Sequence, residues 1–284
     1  RQDAPILIDQ DGGRVARLGP PHWPPLPAAR RFGELAETDR AKAREAATLN
    51  GRLIAHMLYK LGITVNCAPV CDVPVAGAHD VIGDRAFSMN PEVVADLARA
   101  MGDGMMAGGV SPVIKHLPGH GRAMADSHKE LPRLDVSREE LAAVDCAPFR
   151  ALADMPMGMV AHIVLTAIDP DQPASTSAKV VEEIIRGPAI GFDGLLMCDD
   201  LSMGALSGSM GERTAAVLAA GIDVVLHCNG DAKEMAEVAA AAPGLTYIAA
   251  QRWARAQASR RMPEEIDADE MSDRLDWLLG VDPG

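Results

Sequence analysis

Six short aliphatic or β-branched runs punctuate the chain, and longer segments of helix-forming composition lie between them. The runs cover residues 5–9, 63–67, 113–114, 158–165, 194–200 and 223–227. Apolar runs of this length, bounded by turn residues, predict buried strands. The intervening Ala-, Leu-, Arg- and Glu-rich stretches predict helices over 38–61, 91–107, 137–153, 178–186, 212–220 and 231–241. Pro91 stands where a first-turn proline belongs, and Ser137-Arg138-Glu139-Glu140 has the form of a capping box. The tail reads as helical, most clearly over 267–279. Five prolines between residues 20 and 27 exclude regular structure there. Strand and helix alternate every 30 to 50 residues or so, which predicts a parallel sheet with right-handed crossovers.

Nearly every predicted strand ends on a polar residue: Asp9, Asp72 just beyond its strand, Lys115 with His116, His162, Asp199 with Asp200, and His227. Polar strand ends that converge suit an α/β barrel of the TIM type, whose site lies at the C-terminal face of the strands, better than an open sheet. Six strands are two fewer than a (β/α)8 barrel holds.

Composition narrows the function classes. The formal net charge is −13, which disfavours a nucleic-acid partner, because phosphate binding needs a basic surface. No apolar run reaches 18 residues, so no membrane span is expected. Only 3% of residues are aromatic, so aliphatic side chains and 15 methionines must fill the core. The five scattered cysteines, at 67, 71, 146, 198 and 228, fit a reducing compartment. Cys67 and Cys71 lack the second pair that a zinc site needs. Gly12-Gly13 lacks the spacing of a dinucleotide or phosphate-loop fingerprint.

The densest candidate chemistry is Lys115-His116-Leu117-Pro118-Gly119-His120-Gly121, followed by Asp126-Ser127-His128. Three histidines and an acid so close together allow a zinc site, a proton-transfer site or a capping loop. The spacing matches no common zinc signature, and Lys115 beside His116 would repel a cation. Asp126 and His128 are close enough to hydrogen-bond, and a carboxylate on one ring nitrogen equips the other as a general acid. The bland alternatives are an exposed loop histidine at 128 and a turn-bracing one at 120. Adjacent strand residues point to opposite faces, so only one of Asp199 and Asp200 faces a central site, as nucleophile or base. Alternatively the two acids cap the following segment. Arg14, Arg17, Arg85 and Lys115 either hold an anionic or hydroxyl-rich ligand or pair with neighbouring acids.

Five stretches, in order, resemble the family 3 glycoside hydrolases, specifically the bacterial β-N-acetylhexosaminidases of peptidoglycan recycling. They are Ile8-Asp9-Gln10-Asp11-Gly12-Gly13-Arg14-Val15, Ile82-Gly83-Asp84-Arg85, Lys115 to Gly121, Asp126-Ser127-His128, and Asp199-Asp200-Leu201-Ser202-Met203. The resemblance implies a retaining exo-β-N-acetylglucosaminidase, cytoplasmic and without cofactor or metal, acting on N-acetylglucosaminyl muropeptide fragments. It implies Asp199 as nucleophile, His128 as acid/base and Asp126 as its partner. Asp9, Arg17, Arg85, Lys115 and His116 fall where the family contacts the sugar. A phosphorylase using the same residues, a zinc-dependent hydrolase and a non-catalytic sugar-binding protein remain as alternatives. The resemblance also implies that residues 1–284 are one barrel domain lacking its first two β/α units, with self-association as a way to cover the gap.

Overall fold

A computed structural model describes residues 4–281. Six strands form one parallel sheet in the order β1 (Leu7–Ile8), β2 (Val65–Asn66), β3 (Ser111–Leu117), β5 (Met157–Val160), β7 (Leu195–Asp200) and β8 (Val224–Leu226). Two further strands, β4 (Arg133–Leu134) and β6 (Val164–Leu165), pair only with each other beside the sheet. The predicted parallel α/β architecture is present. Spatial order follows chain order throughout the main sheet, as successive β/α crossovers require. Leu7 of one edge strand and Leu226 of the other line a single apolar cavity of about 410 Å³, so the sheet curls into part of a barrel wall. Among the described residues β1 and β8 are its unjoined edges, and a closed barrel is not formed.

Most of the helices wrap the outer face. α1 (Ala29–Ala36) and α2 (Arg40–Lys60) follow the proline-rich stretch; α3 (Pro91–Ala107) precedes β3. α2 starts at Asp39, whose carboxylate accepts from the Lys42 N–H, and α3 at Asn90, which accepts from the Glu92 N–H ahead of Pro91 in the first turn. α2 and α3 pack backbone to backbone: a Cβ added at Gly51 would lie 2.2 Å from the Met101 carbonyl oxygen. α4 (Arg138–Glu140) widens into a π-helical turn, Leu141–Asp145, before α5 (Ala147–Ala151). α6 (Ala178–Val180) does the same at Val181–Ile185. α7 (Met210–Ala219) carries a complete Ser209/Glu212 capping box, and α8 (Ala232–Ala241) is capped by Asp231. α9 (Tyr247–Ala258) and α10 (Ala268–Leu279) form the helical tail.

Three expectations change. The opening run is not a buried strand: β1 is a half-buried edge, and Ile6 before it is 53% exposed. Residues 158–165 are not one strand, because the chain leaves the sheet after Val160 and re-pairs at Val164 with β4. His162 sits at that break, its ring held by Ser175 and by the Asp200 carbonyl. α1 had no predicted counterpart. It is only eight residues long and follows directly on the prolines, so its periodic signal is weak.

The core has two layers. Helices and outer strand faces bury Phe32, Leu58, Leu97, Phe149 and Ile185, among others. The inner face buries Val65, Val113, Met157, Met159, Leu195 and Met197, with Ala256 and Trp253 of α9 packed against them. Methionine supplies much of this inner filling, as the scarcity of aromatic residues anticipates.

Candidate active site

The C-terminal ends of β1, β3 and β7 carry the charged residues inward. Lys115 is 1% exposed, and its ammonium pairs with Asp9 and, at 2.8 Å, with Asp11. Arg85 closes the cluster, its Nε 2.9 Å from Asp11 Oδ2, while Arg17 is mostly exposed and approaches Asp9 at 3.4 Å. Burial alone would lower the Lys115 pKa, but Asp11 and Asp9 outweigh it and raise it. The same burial would raise Asp9, and Lys115, Arg85 and Arg17 together hold it below the usual carboxylate range. Lys115 and Arg85 therefore stay charged without bulk water, and Asp9 keeps a third of its side-chain surface open to solvent.

β3 breaks its alternation next to Lys115. The register with β5 shifts between Lys115 and Leu117, leaving His116 unpaired in the ladder. Lys115 and His116 are consecutive, yet both are buried. His116 Nδ1 lies 2.7 Å from Asp72 Oδ2. Asp72 is fully buried and also accepts from the backbone N–H groups of His116 and His120, at 3.2 and 2.7 Å. Desolvation would raise Asp72, but His116 and His120 bring it below its ordinary value. An ionised Asp72 fixes the His116 tautomer with the proton on Nδ1, leaving Nε2 free.

His120 is also buried, and its Nε2 lies 3.1 Å from Ser127 Oγ. Burial pushes its pKa down to about 4, against the attraction of Asp72. Ser127 lies between Asp126 and His128. Asp126 Oδ1 sits 2.8 Å from His128 Nδ1 and accepts from the His128 N–H at 3.0 Å. Burial works against Asp126, and these two bonds lower it nonetheless. The His128 side chain is 63% exposed, with Nδ1 occupied by Asp126. The three histidines of the stretch thus go to three different partners. Among the described residues no three His, Cys, Asp or Glu side chains are grouped to hold a metal ion.

At the end of β7 the two aspartates differ. The Asp200 carboxylate accepts from the Ser202 and Cys228 N–H groups, both at 3.0 Å, and from the Ser202 hydroxyl. Asp200 therefore ties two loops together. Asp199 accepts from the Asp200 N–H at 2.9 Å. Burial would raise Asp199, but His116, His162, that N–H and Lys115 hold its pKa down at about 2. An anionic Asp199 near the Lys115 ammonium is equipped to attack an electron-poor carbon. Cys198 before it turns away, its sulfur accepting from the Leu226 N–H at 3.4 Å.

The structure brings Asp9, Arg17, Arg85 and Lys115 into one ion network, links His116 to Asp199 electrostatically, and joins Asp126 to His128. Arg14 stands apart, paired with Asp80 and Asp84. Sequence reasoning named Asp72 among the polar strand ends, and Asp11 and Ser127 within motif stretches, but gave none of these buried supports a role. Asp72 had a signal: it is the one acid in the otherwise apolar stretch Ala68-Pro69-Val70-Cys71-Asp72-Val73. Ser127 had none.

Acids, cations and histidines gathered at the C-terminal ends of a curled parallel sheet have the construction of barrel-type enzymes. The chain belongs to glycosyl hydrolase family 3: the model of that family's N terminal domain matches residues 3–258. It is 40% identical over 228 residues to the β-hexosaminidase of Bordetella avium, covering 79% of this chain and 64% of that protein. With the β-hexosaminidase of Tolumonas auensis it shares 41% over 240 residues, 81% of this chain and 68% of the relative. The chain thus spans about two thirds of the length of these curated relatives. Its fold is similar to that of NagZ from Neisseria gonorrhoeae in complex with N-trifluoroacetyl-D-glucosamine, with a TM-score of 0.83 and 32% identity over 98% of this chain and 81% of that one. A family 3 β-N-acetylglucosaminidase from Paenibacillus is also similar, with a TM-score of 0.81 and 28% identity, covering 96% of this chain and 55% of that one.

Proposed function

We propose that the protein is a retaining exo-β-N-acetylglucosaminidase that removes N-acetylglucosamine from cell-wall muropeptide fragments. One observation carries the reading: a half-buried, ionised Asp199 at a strand end, with an imidazole–carboxylate pair on a neighbouring loop. The names of the relatives supply the sugar class. In the proposed cycle Asp199 attacks the anomeric carbon while His128 Nε2 protonates the departing glycosidic oxygen, leaving a glycosyl ester on Asp199. His128, now neutral, takes a proton from water, which attacks the same carbon and frees Asp199 with net retention. Asp126 holds the His128 ring and stabilises its charged form. The Lys115, Arg85, Arg17 and Asp9 network, with His116 Nε2, offers charged donors and an acceptor to sugar hydroxyls.

Hydrolysis of an aryl β-N-acetylglucosaminide by the parent, Asp199→Asn and His128→Ala tests this reading. The aspartate variant is expected to lose roughly 10⁴-fold or more in kcat, and the histidine variant about 10²–10⁴-fold. Full activity in Asp199→Asn contradicts the assignment. Sugar 1-phosphate as the product in phosphate buffer would identify a phosphorylase instead.

A further inference from the structure

The loop carrying Asp126 and His128 rests on the loop that follows Asp199. The Gly204 N–H donates to the His128 carbonyl at 3.1 Å, and the Ala205 N–H donates to the Ser127 carbonyl at 3.2 Å. From the other side, His120 reaches the Ser127 hydroxyl. The supporting loop is itself anchored. The Leu201 N–H donates to the Leu226 carbonyl of β8, and Arg213 of α7 donates to the Leu201 and Met203 carbonyls at 2.6 and 3.2 Å. Asp200 fastens its start to Ser202 and Cys228. A connected set of bonds therefore runs from the nucleophile strand to the backbone of His128.

Gly204 is the point where the two loops touch. A Cβ there would lie 2.8 Å from the Lys129 carbonyl oxygen, closer than real Cβ contacts come, and 3.0 Å from that of His128, tighter than most; both neighbours are backbone. Among the described residues the His128 side chain has only Asp126, two residues away, as partner, so its position follows its backbone.

We infer that Gly204 and His120 are positioning residues that fix His128 relative to Asp199, by seating the acid/base loop on the nucleophile loop from one side and latching Ser127 from the other. This rests on the proposed glycosidase mechanism. Gly204 contributes the absence of a side chain, which lets the carbonyls of residues 128 and 129 approach. His120, buried and neutral at working pH, contributes a fixed ring nitrogen. Neither touches the sugar. Their effect falls on proton donation to the leaving group, and misplacement of a catalytic group by about 1 Å diminishes rate on the order of 10²-fold.

The test is the dependence of kcat/KM on leaving-group acidity, measured with 2,4-dinitrophenyl and phenyl β-N-acetylglucosaminides for the parent, His128→Ala, Gly204→Ala and His120→Leu. A dinitrophenolate leaves without a proton; a phenolate leaves poorly without one. His128→Ala is the control and is expected to lose far more on the phenyl substrate. Gly204→Ala is expected to fall about 10²-fold on the phenyl substrate and within roughly 5-fold of parent on the dinitrophenyl one. His120→Leu is expected to show the same asymmetry, and it decides the matter if Gly204→Ala does not fold. A merely structural role would reduce both substrates by the same factor, through the amount of folded enzyme. Equal losses, or none, in Gly204→Ala and His120→Leu while His128→Ala shows the asymmetry overturn the positioning inference and leave the mechanism standing. A symmetric loss in His128→Ala overturns the acid/base assignment and the inference with it.

Discussion

Replacing Lys115 with methionine removes the charge at the centre of the ion network while keeping most of the side-chain volume. Lys115 is 1% exposed, and its partners Asp11 and Asp9 are 7% and 34% exposed. Removing one member of a buried pair destabilises by about 3–5 kcal/mol, because the remaining charge is stranded. Here the lower end applies: Asp11 keeps Arg85 at 2.9 Å, and Asp9 keeps part of its hydration and a long contact with Arg17. A loss of about 3 kcal/mol corresponds to a drop in Tm on the order of 6–12 °C for a chain of this size. The acid response changes as well. Asp9 has its folded pKa below the unfolded value of 3.8, so its contribution is present above pH 3.8 and lost as pH falls. With Lys115 gone, that part of the acid sensitivity shrinks. Urea denaturation at pH 7 and pH 3.5, for Lys115→Met and the parent, reads both effects. A variant within 1 kcal/mol of the parent, with an unchanged acid response, would refute the claim that Lys115 compensates buried carboxylates.

Gly51→Ala pushes α2 off α3, since the new methyl meets the Met101 carbonyl at 2.2 Å. A loss of about 1–3 kcal/mol by denaturant titration is expected, and a stabilised variant would contradict the close helix packing. Asp126→Asn keeps the shape of the dyad but not its charge, and is expected to lower kcat on a phenyl glycoside by roughly 10²–10⁴-fold with the fold intact by circular dichroism. An unchanged kcat would remove Asp126 from the mechanism. His120 is neutral in the folded protein down to a pKa of about 4, against 6.5 when free. The unfolded chain therefore takes up a proton first, and stability falls as pH drops from 6.5 towards 4, by roughly 3 kcal/mol. His120→Leu should flatten the stability profile in that window, and an unaltered profile would contradict the burial of this ring.

Much of the fold was legible because periodicity and caps agree with tertiary structure. The long helix predicted over 38–61 lies at Arg40–Lys60, and the run ending in two aspartates is β7. The six strands of the sheet correspond to the six apolar runs. What failed was decided by long-range contacts. The run 158–165 reads as one strand, but His162 finds Ser175 and the Asp200 carbonyl and turns the chain out of the sheet. Strand alternation implies that only one of Asp199 and Asp200 faces a central site, but not which. That depended on Ser202 and Cys228 occupying Asp200. Asp126 and His128 could be joined because they are two residues apart. Asp72 and His116, 44 residues apart, could not, and neither could Gly204 and His128.

The proposed cycle turns on a covalent bond between Asp199 and the sugar. Mass spectrometry of the protein after incubation with a slowly turned-over 5-fluoro-N-acetylglucosaminyl fluoride detects that bond. The expected result is the addition of one glycosyl unit, located by peptide fragmentation to Asp199, and no addition in Asp199→Asn. A label on Asp200, or an active enzyme that accumulates no label with this inhibitor and releases product with inverted configuration, would contradict it.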